Sequence, residues 1–257
     1  MLSVPRQSRK DARFSTPMPV GRIPPRSIWR GWASRFTTHG PRLACAGWSG
    51  FEGVGMPGSF DAPSDPLWSD LYAQLSEFFK EPSPGFVEDV ASGRLARFFE
   101  ERRGLLGLDT TLITGLAPDG EALGEEYRRL FTGPMPPYIV PVESVYKRWA
   151  NSPDCQLPIA LEKGYLMGDP ALDMLRRYRD RGMEVPDAFS SMPDHLALEL
   201  EYLAFLASQG DDPACREFLS SHLDWLGDLV RDIENAGGGG FYLSGARIAR
   251  DIVKSAL

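Results

Sequence analysis

From Leu67 onward, apolar residues recur three and four positions apart, the period of a helix that buries one face. Leu67, Leu71, Leu75, Phe78 and Phe79 form the first such set. Ser64-Asp65-Pro66 supplies its start signal, a capping side chain followed by proline in the first turn. Phe86, Val90, Leu95, Phe98 and Phe99 follow Pro84 as a second set, and Leu123, Tyr127, Leu130 and Phe131 make a third. Asp169-Pro170 opens a helix carrying Leu172, Leu175 and Tyr178, and Gly182 is placed to end it. The strongest predicted helix runs from about Pro193 to Ser208, with Ser190 or Ser191 as cap and Leu196, Leu200, Leu203 and Ala207 as its stripe. Asp211-Asp212-Pro213 starts another, continuing through Phe218, Leu219, Leu223, Leu226 and Val230. Gly237 to Gly240 breaks the chain before a last helix with Phe241, Leu243, Ile248 and Ile252. No segment alternates as a strand does. The pattern predicts an all-α fold, an irregular single-domain helical bundle over residues 61–257.

Two stretches depart from the pattern. Gly133 to Pro141 holds four prolines and cannot be a helix interior, so it reads as an extended crossing loop, with a short helix from Glu143 to Trp149 after it. Residues 1–60 are rich in Pro, Gly, Ser and Arg and keep no period, which predicts a disordered basic extension. Three readings of it stand together: translation starts at Met56, the segment is a basic arm or organellar presequence, or it is a tail without a role.

Charge narrows the partners. The net charge of the 257-residue chain is −7, but residues 1–55 carry nine Lys/Arg against two Asp/Glu. The helical part is therefore strongly acidic, which argues against a nucleic-acid partner and favours a basic one. Cys45, Cys155 and Cys215 are far apart and odd in number, so neither a disulfide framework nor a structural zinc site is expected, and a reducing cytoplasm fits. No apolar run reaches the roughly 18 residues of a membrane helix, so stable membrane insertion is not expected. No apolar core of a secretory signal follows the first residues.

Candidate chemistry concentrates in PDHLALELEY, Pro193 to Tyr202. His195 and Glu199 are four apart and share a helix face. They fit a general acid/base pair, two metal ligands, a binding face, or simply a capped helix start with a solvated charged face. The only other histidines are His39 and His222, and no HExxH or Cys/His cluster supplies a third ligand, so neither a metal nor catalysis is expected. Gly237 to Gly240 lacks the lysine of a phosphate loop and follows a helix rather than a strand, so it reads as a hinge.

Longer motifs carry a resemblance. EYRRLFTGPMPPYIVPVESVY, Glu126 to Tyr146, is similar to the first signature of the TorD/DmsD family of molybdoenzyme chaperones. PDHLALELEYLAFL, Pro193 to Leu206, resembles its second signature. MGDPALDMLRRYRDRG, FLSSHLDWL and FYLSGARIARDIV fit in order, and the similarity spans roughly residues 64–257. Val142 departs from the aromatic residue usual before Glu-Ser. The resemblance implies a cytoplasmic helical chaperone, not an enzyme, that binds the twin-arginine leader or apo form of a molybdopterin oxidoreductase until its cofactor is inserted. It allows weak guanine-nucleotide binding, and a monomer or a helix-swapped dimer hinged at the Pro-rich loop. Asp194, Glu199, Glu201 and Glu143 are the expected carboxylate rim for the leader's arginines, with His195 on the same face. Tyr146, Tyr202 and Trp149 are the expected lining of an apolar groove. A chaperone for a non-exported subunit and an unrecognised helical enzyme are the alternatives.

Because residues 1–55 lack core-forming density, their removal is expected to leave the melting temperature unchanged. A drop of several degrees in a chain starting at Met56 would contradict this.

Overall fold

A computed structural model describes residues 66–257, apart from 118–119, 133–137, 153 and 239. The extension, the Ser64-Asp65 cap and most of the Pro-rich loop lie outside the described residues. The described chain is all-α: α1 (Pro66–Ser76), α2 (Pro84–Ala91), α3 (Arg94–Leu106), α4 (Thr110–Thr114), α5 (Gly120–Tyr127), α6 (Glu143–Tyr146), α7 (Asp169–Asp180), α8 (Leu196–Ser208), α9 (Asp212–His222), α10 (Leu226–Asn235) and α11 (Phe241–Ala256). No strand occurs among the described residues; one isolated antiparallel bridge joins Val142 and His195.

The centre is α8. Leu196, Ala197, Leu198, Leu200, Leu203, Ala204, Leu206 and Ala207 are all buried, so this helix is apolar nearly all round, as a helix enclosed by neighbours must be. It packs against α1 on one side and α9 on another, while α10 and α11 pair with each other. At one end of the bundle Phe78 stacks on Phe241 with ring centroids 5.0 Å apart and meets Phe86 and Phe99 edge-on. Gly245 of α11 lies flat against the Phe78 ring, with no room for a side chain.

The helical period located most elements, and four details differ for physical reasons. The second apolar set splits into α2 and α3 because Gly93 turns left-handed at φ 71°, a conformation that costs glycine little. On α7 the buried face is Ala171, Met174 and Tyr178, whereas Leu172 is 55% exposed. The helix predicted from Asp211 to Val230 breaks after His222, where the Ser221 carbonyl accepts from Lys147 Nζ at 2.6 Å. The strongest helix starts at Leu196 rather than near Pro193. Its cap is His195, whose Nδ1 accepts from the Ala197 N–H at 3.2 Å, and not Ser190 or Ser191.

Gly245→Ala places a methyl group inside the Phe78 ring. The overpacking, about 1–3 kcal/mol, outweighs the gain of up to about 1 kcal/mol from better helix propensity. The variant is expected to melt several degrees lower in a thermal scan, and an unchanged or higher melting temperature would contradict the packing.

Candidate functional site

The two signature segments are bonded to each other. The Leu196 N–H donates to the Pro141 carbonyl at 2.8 Å, and the Glu143 N–H donates to the Asp194 carbonyl at 3.0 Å. The Asp194 carboxylate then accepts from the Ser144 N–H at 2.7 Å and from the Ser144 hydroxyl. Ser144 Oγ in turn accepts from the Gly168 N–H at 3.2 Å. Gly168 is required by close approach, since a Cβ there would lie 2.6 Å from the Trp149 carbonyl oxygen. Asp194 therefore caps the first turn of α6 from fifty residues away, which a four-residue helix needs because it cannot stand alone.

Glu143 is the hub on the other side of this turn. Its Oε2 lies 2.7 Å from His222 Nδ1, and its Oε1 lies 2.6 Å from Lys147 Nζ. His222 Nε2 lies 3.0 Å from Asp173 Oδ2, which also accepts from Arg177 Nε at 2.6 Å. Arg177 closes the chain with a two-pronged pair to Glu217, both bonds 2.8 Å. His222 is stacked on Phe218, centroids 4.7 Å apart. Glu143, Lys147, Asp173, Arg177, Glu217 and His222 line part of an open pocket of about 560 Å³, to which Asp169 and Leu172 also contribute. Leu157, Leu161, Tyr165, Leu166 and Leu172, apolar and exposed, follow one another along the chain segment that leads to it.

The structure brings the sequence-derived residues together, but as an interior and not as a rim. Asp194 and Glu199 are 0% exposed, Glu143 is 1% exposed, and His195, Tyr146 and Tyr202 are buried as well. The solvated-face reading of Pro193 to Tyr202 is thereby corrected: the helix period turns Glu199 toward α6. Glu201 is half-buried and pairs with Lys80 of the turn after α1. Trp149 is half-buried and donates from Nε1 to the Leu166 carbonyl at 3.1 Å. Tyr146 stacks on Trp225 at 4.8 Å, and Tyr202 packs against Tyr178 and Phe218.

Burial dominates the electrostatics. It pushes the Glu199 carboxyl well above the carboxylate range, assisted by the Glu143 and Asp194 carboxylates and opposed by Lys147. It raises Asp194 too, against the Ser144 hydrogen bonds. Burial, with Lys80 nearby, pushes His195 down to about 3, which suits its neutral acceptor role at the cap. Asp194 Oδ1 has no hydrogen-bond partner, and Glu199 has only the Glu143 carboxylate beside it, to which it can donate when protonated.

His222, Ser144, Lys147, Asp173 and Arg177 were missed by the sequence reading as members of this cluster. One signal was available. Cys215, Phe218, Leu219 and His222 share the buried face of α9, so the histidine falls on an apolar stripe. The Glu143–Lys147 and Asp173–Arg177 pairs also have the four-residue spacing of helix partners.

Comparison with known proteins follows the same segments. The family profile described as nitrate reductase delta subunit matches residues 100–231. The chain is 31% identical over 208 residues to the chaperone protein TorD of Shewanella pealeana, covering 75% of this chain and 89% of that protein. It is 29% identical over 90 residues to the chaperone protein TorD of Shewanella loihica, covering 35% and 43%. A crystal structure of an Archaeoglobus fulgidus protein, proposed there to act in redox enzyme maturation, aligns over 79% of this chain and 99% of that one, at 23% identity and a TM-score of 0.49.

A group whose folded pKa is raised stabilises fully below its unfolded pKa, near 4.3 for Glu, and loses that contribution as pH rises toward the folded value. Glu199→Gln removes this loss, and the amide can donate to Glu143. The variant's melting temperature, relative to wild type, is expected to climb from about zero difference at pH 4 to a clear gain at pH 8, in chelator-containing buffer. His195 acts in the opposite direction but equally in both chains. A difference that stays flat or shrinks with pH would contradict the burial argument.

Proposed function

The chain belongs to the TorD family of redox-enzyme maturation chaperones, and on that premise we propose that it holds the precursor of a molybdopterin oxidoreductase by its twin-arginine leader. It does so in the cytoplasm, before cofactor insertion and export, and without turning over a substrate. The observation that carries this reading is the junction of the two signature segments beside an acid-bearing pocket with exposed apolar side chains along one approach. A twin-arginine leader is an arginine pair followed by an apolar stretch. Asp169, Asp173 and Glu217 offer carboxylates to the guanidinium groups, which pair with them in a planar, two-pronged way; the leader's arginines would compete there with Arg177, which holds Asp173 and Glu217. Leu161, Leu166 and Leu172 suit the apolar stretch.

In this reading Glu143 forms the inner wall, while Glu201, paired with Lys80, and Trp149, bonded to the Leu166 carbonyl, stand outside the pocket lining. Asp194, His195, Glu199, Tyr146 and Tyr202 act from behind it, by fixing the turn that carries Glu143. The acidic charge of the helical part draws in a basic segment and discourages nucleic acid. The working form is a monomer with a slowly exchanging helix-swapped dimer. The match of residues 100–231 to the nitrate reductase delta subunit favours a second reading, in which the partner is the N-terminus of a subunit that is not exported.

Calorimetric titration separates the two. The chain is titrated with the leader of a molybdoenzyme encoded beside it, with the same leader bearing Lys-Lys for Arg-Arg, and with the N-terminal peptide of the mature subunit. The native leader is expected to bind, and the Lys-Lys leader to bind about tenfold more weakly, the equivalent of about 1.4 kcal/mol. Asp194→Asn is expected to weaken binding by a similar factor while the chain still melts cooperatively. Unchanged affinity in that variant removes Asp194 from the role. Binding of the mature N-terminus alone selects the second reading, and binding of neither peptide overturns both.

A further inference from the structure

Three helices that belong to three different motifs aim one ligand atom each at a common point. Glu143 of α6, Glu199 of α8 and His222 of α9 are all buried, and their carboxylate and imidazole atoms lie within 4.8 Å of one another. A neutral imidazole carries one N–H and can donate to one neighbour only. His222 has a carboxylate at each nitrogen, Glu143 at 2.7 Å and Asp173 at 3.0 Å. One nitrogen of a neutral ring in this place presents a lone pair to the carboxylate beside it, the orientation of a metal ligand. Glu199 closes the third side, fully buried, with no donor from the rest of the protein on either oxygen. Lys147 donates to the other oxygen of Glu143, and Glu199 is satisfied only if it keeps its own proton, so a cation at the common point would take that proton's place.

We propose that Glu143, Glu199 and His222 form a binding site for a single divalent transition-metal ion of the zinc class. Imidazole nitrogen with carboxylate oxygen suits a borderline ion better than calcium or magnesium. Bonds of about 2.0–2.2 Å put neighbouring ligand atoms about 3 to 3.5 Å apart, so His222 and Glu143 need to separate by less than about 1 Å and the widest pair, within 4.8 Å, to close by up to about 1.8 Å. Asp173 holds the far nitrogen of His222, the outer partner that a metal-bound histidine usually has. Lys147 occupies the other oxygen of Glu143 and leaves Oε2 for the ion. The pocket, which Glu143 and His222 line, gives the ion an entry path and water for its remaining positions. The sequence alone offered only His195 and Glu199 on one helix and no third ligand. The chain crossing that brings α6 and α9 to Glu199 supplies it. A bound ion would tie α6, α8 and α9 together.

The test uses the full chain, free of any affinity tag and stripped with chelator. Zinc chloride is titrated by calorimetry, and melting curves are recorded with and without zinc. One equivalent is expected to bind at about micromolar strength or tighter, with a rise of several degrees in melting temperature. Glu199→Gln preserves the shape of the side chain and is expected to weaken binding by more than about a hundredfold, and Asp173→Asn by about 10- to 100-fold. Glu234→Gln, a carboxylate of α10 paired with Arg247 and outside the ligand set, is expected to bind as wild type. Cobalt added to the wild-type chain is expected to show the visible absorption of a nitrogen- and oxygen-ligated ion. No saturable zinc binding, binding by Glu199→Gln equal to wild type, or a cobalt spectrum identical to the aqueous ion would each overturn the proposal.

Discussion

The geometry around the pocket depends on one buried carboxylate. Asp194 sits just before α8 and accepts two hydrogen bonds from Ser144, at the start of a helix four residues long. Removing the carboxylate would strand two buried donors, at a cost of about 1–3 kcal/mol for each group left unpaired. Its effect on geometry is larger than that figure suggests. With Ser144 fixed, Glu143 faces α9, Lys147 reaches the Ser221 carbonyl, and the chain after His222 turns away instead of continuing as one helix. The backbone bonds from Pro141 to Leu196 and from Glu143 to Asp194 hold the same junction from the other side. Two segments fifty residues apart thus behave as one element.

Polar groups buried this deeply bring a cost that apolar packing has to offset. Asp194, Glu199, Glu143 and His222 all lie inside a shell made by α8, α9 and the aromatic residues Tyr146, Phe218 and Trp225. The apolar surface of α8, worth about 1.5–3 kcal/mol for each fully buried leucine, offsets it. Such a node is weak evidence of added stability, since apolar replacements often stabilise more. What it does impose is a pairing of α6 with α8 in which Ser144 and the Glu143 N–H both find their acceptor at Asp194.

Helix starts that use their own neighbours were legible in the sequence. Asp211 accepts from the Ala214 N–H at 3.3 Å, as a cap two residues before proline should, and Asp169-Pro170 opens α7 as expected. The start of α8 was not legible, because its cap is a histidine and the serines upstream are better capping residues by type. The acidic face was misjudged for a related reason. Aspartate and glutamate on a helix usually point to water, but here Ser144 donates to Asp194, and Glu143 and His222 lie beside Glu199. Those partners lie 23 to 56 positions away from Asp194 or Glu199, beyond what periodicity can report. The family motifs located the right segments, since they record which residues recur, but they do not say which side chains face inward.

Glu143 links the pocket to the centre of the fold. Through His222 and Asp173 it connects to α7 and α9, and through Ser144 and Asp194 to the start of α8, the helix on which the core is built. The four-residue helix that carries it has almost no stability of its own, so its position is set entirely by these contacts. Whatever enters the pocket and draws on Glu143 therefore acts on a network that ends in the core, not on an isolated surface charge. A rim of exposed carboxylates would bind arginine weakly and transmit nothing. A carboxylate anchored from within binds in one geometry, and any displacement of it must be paid in the packing of α6 against α8.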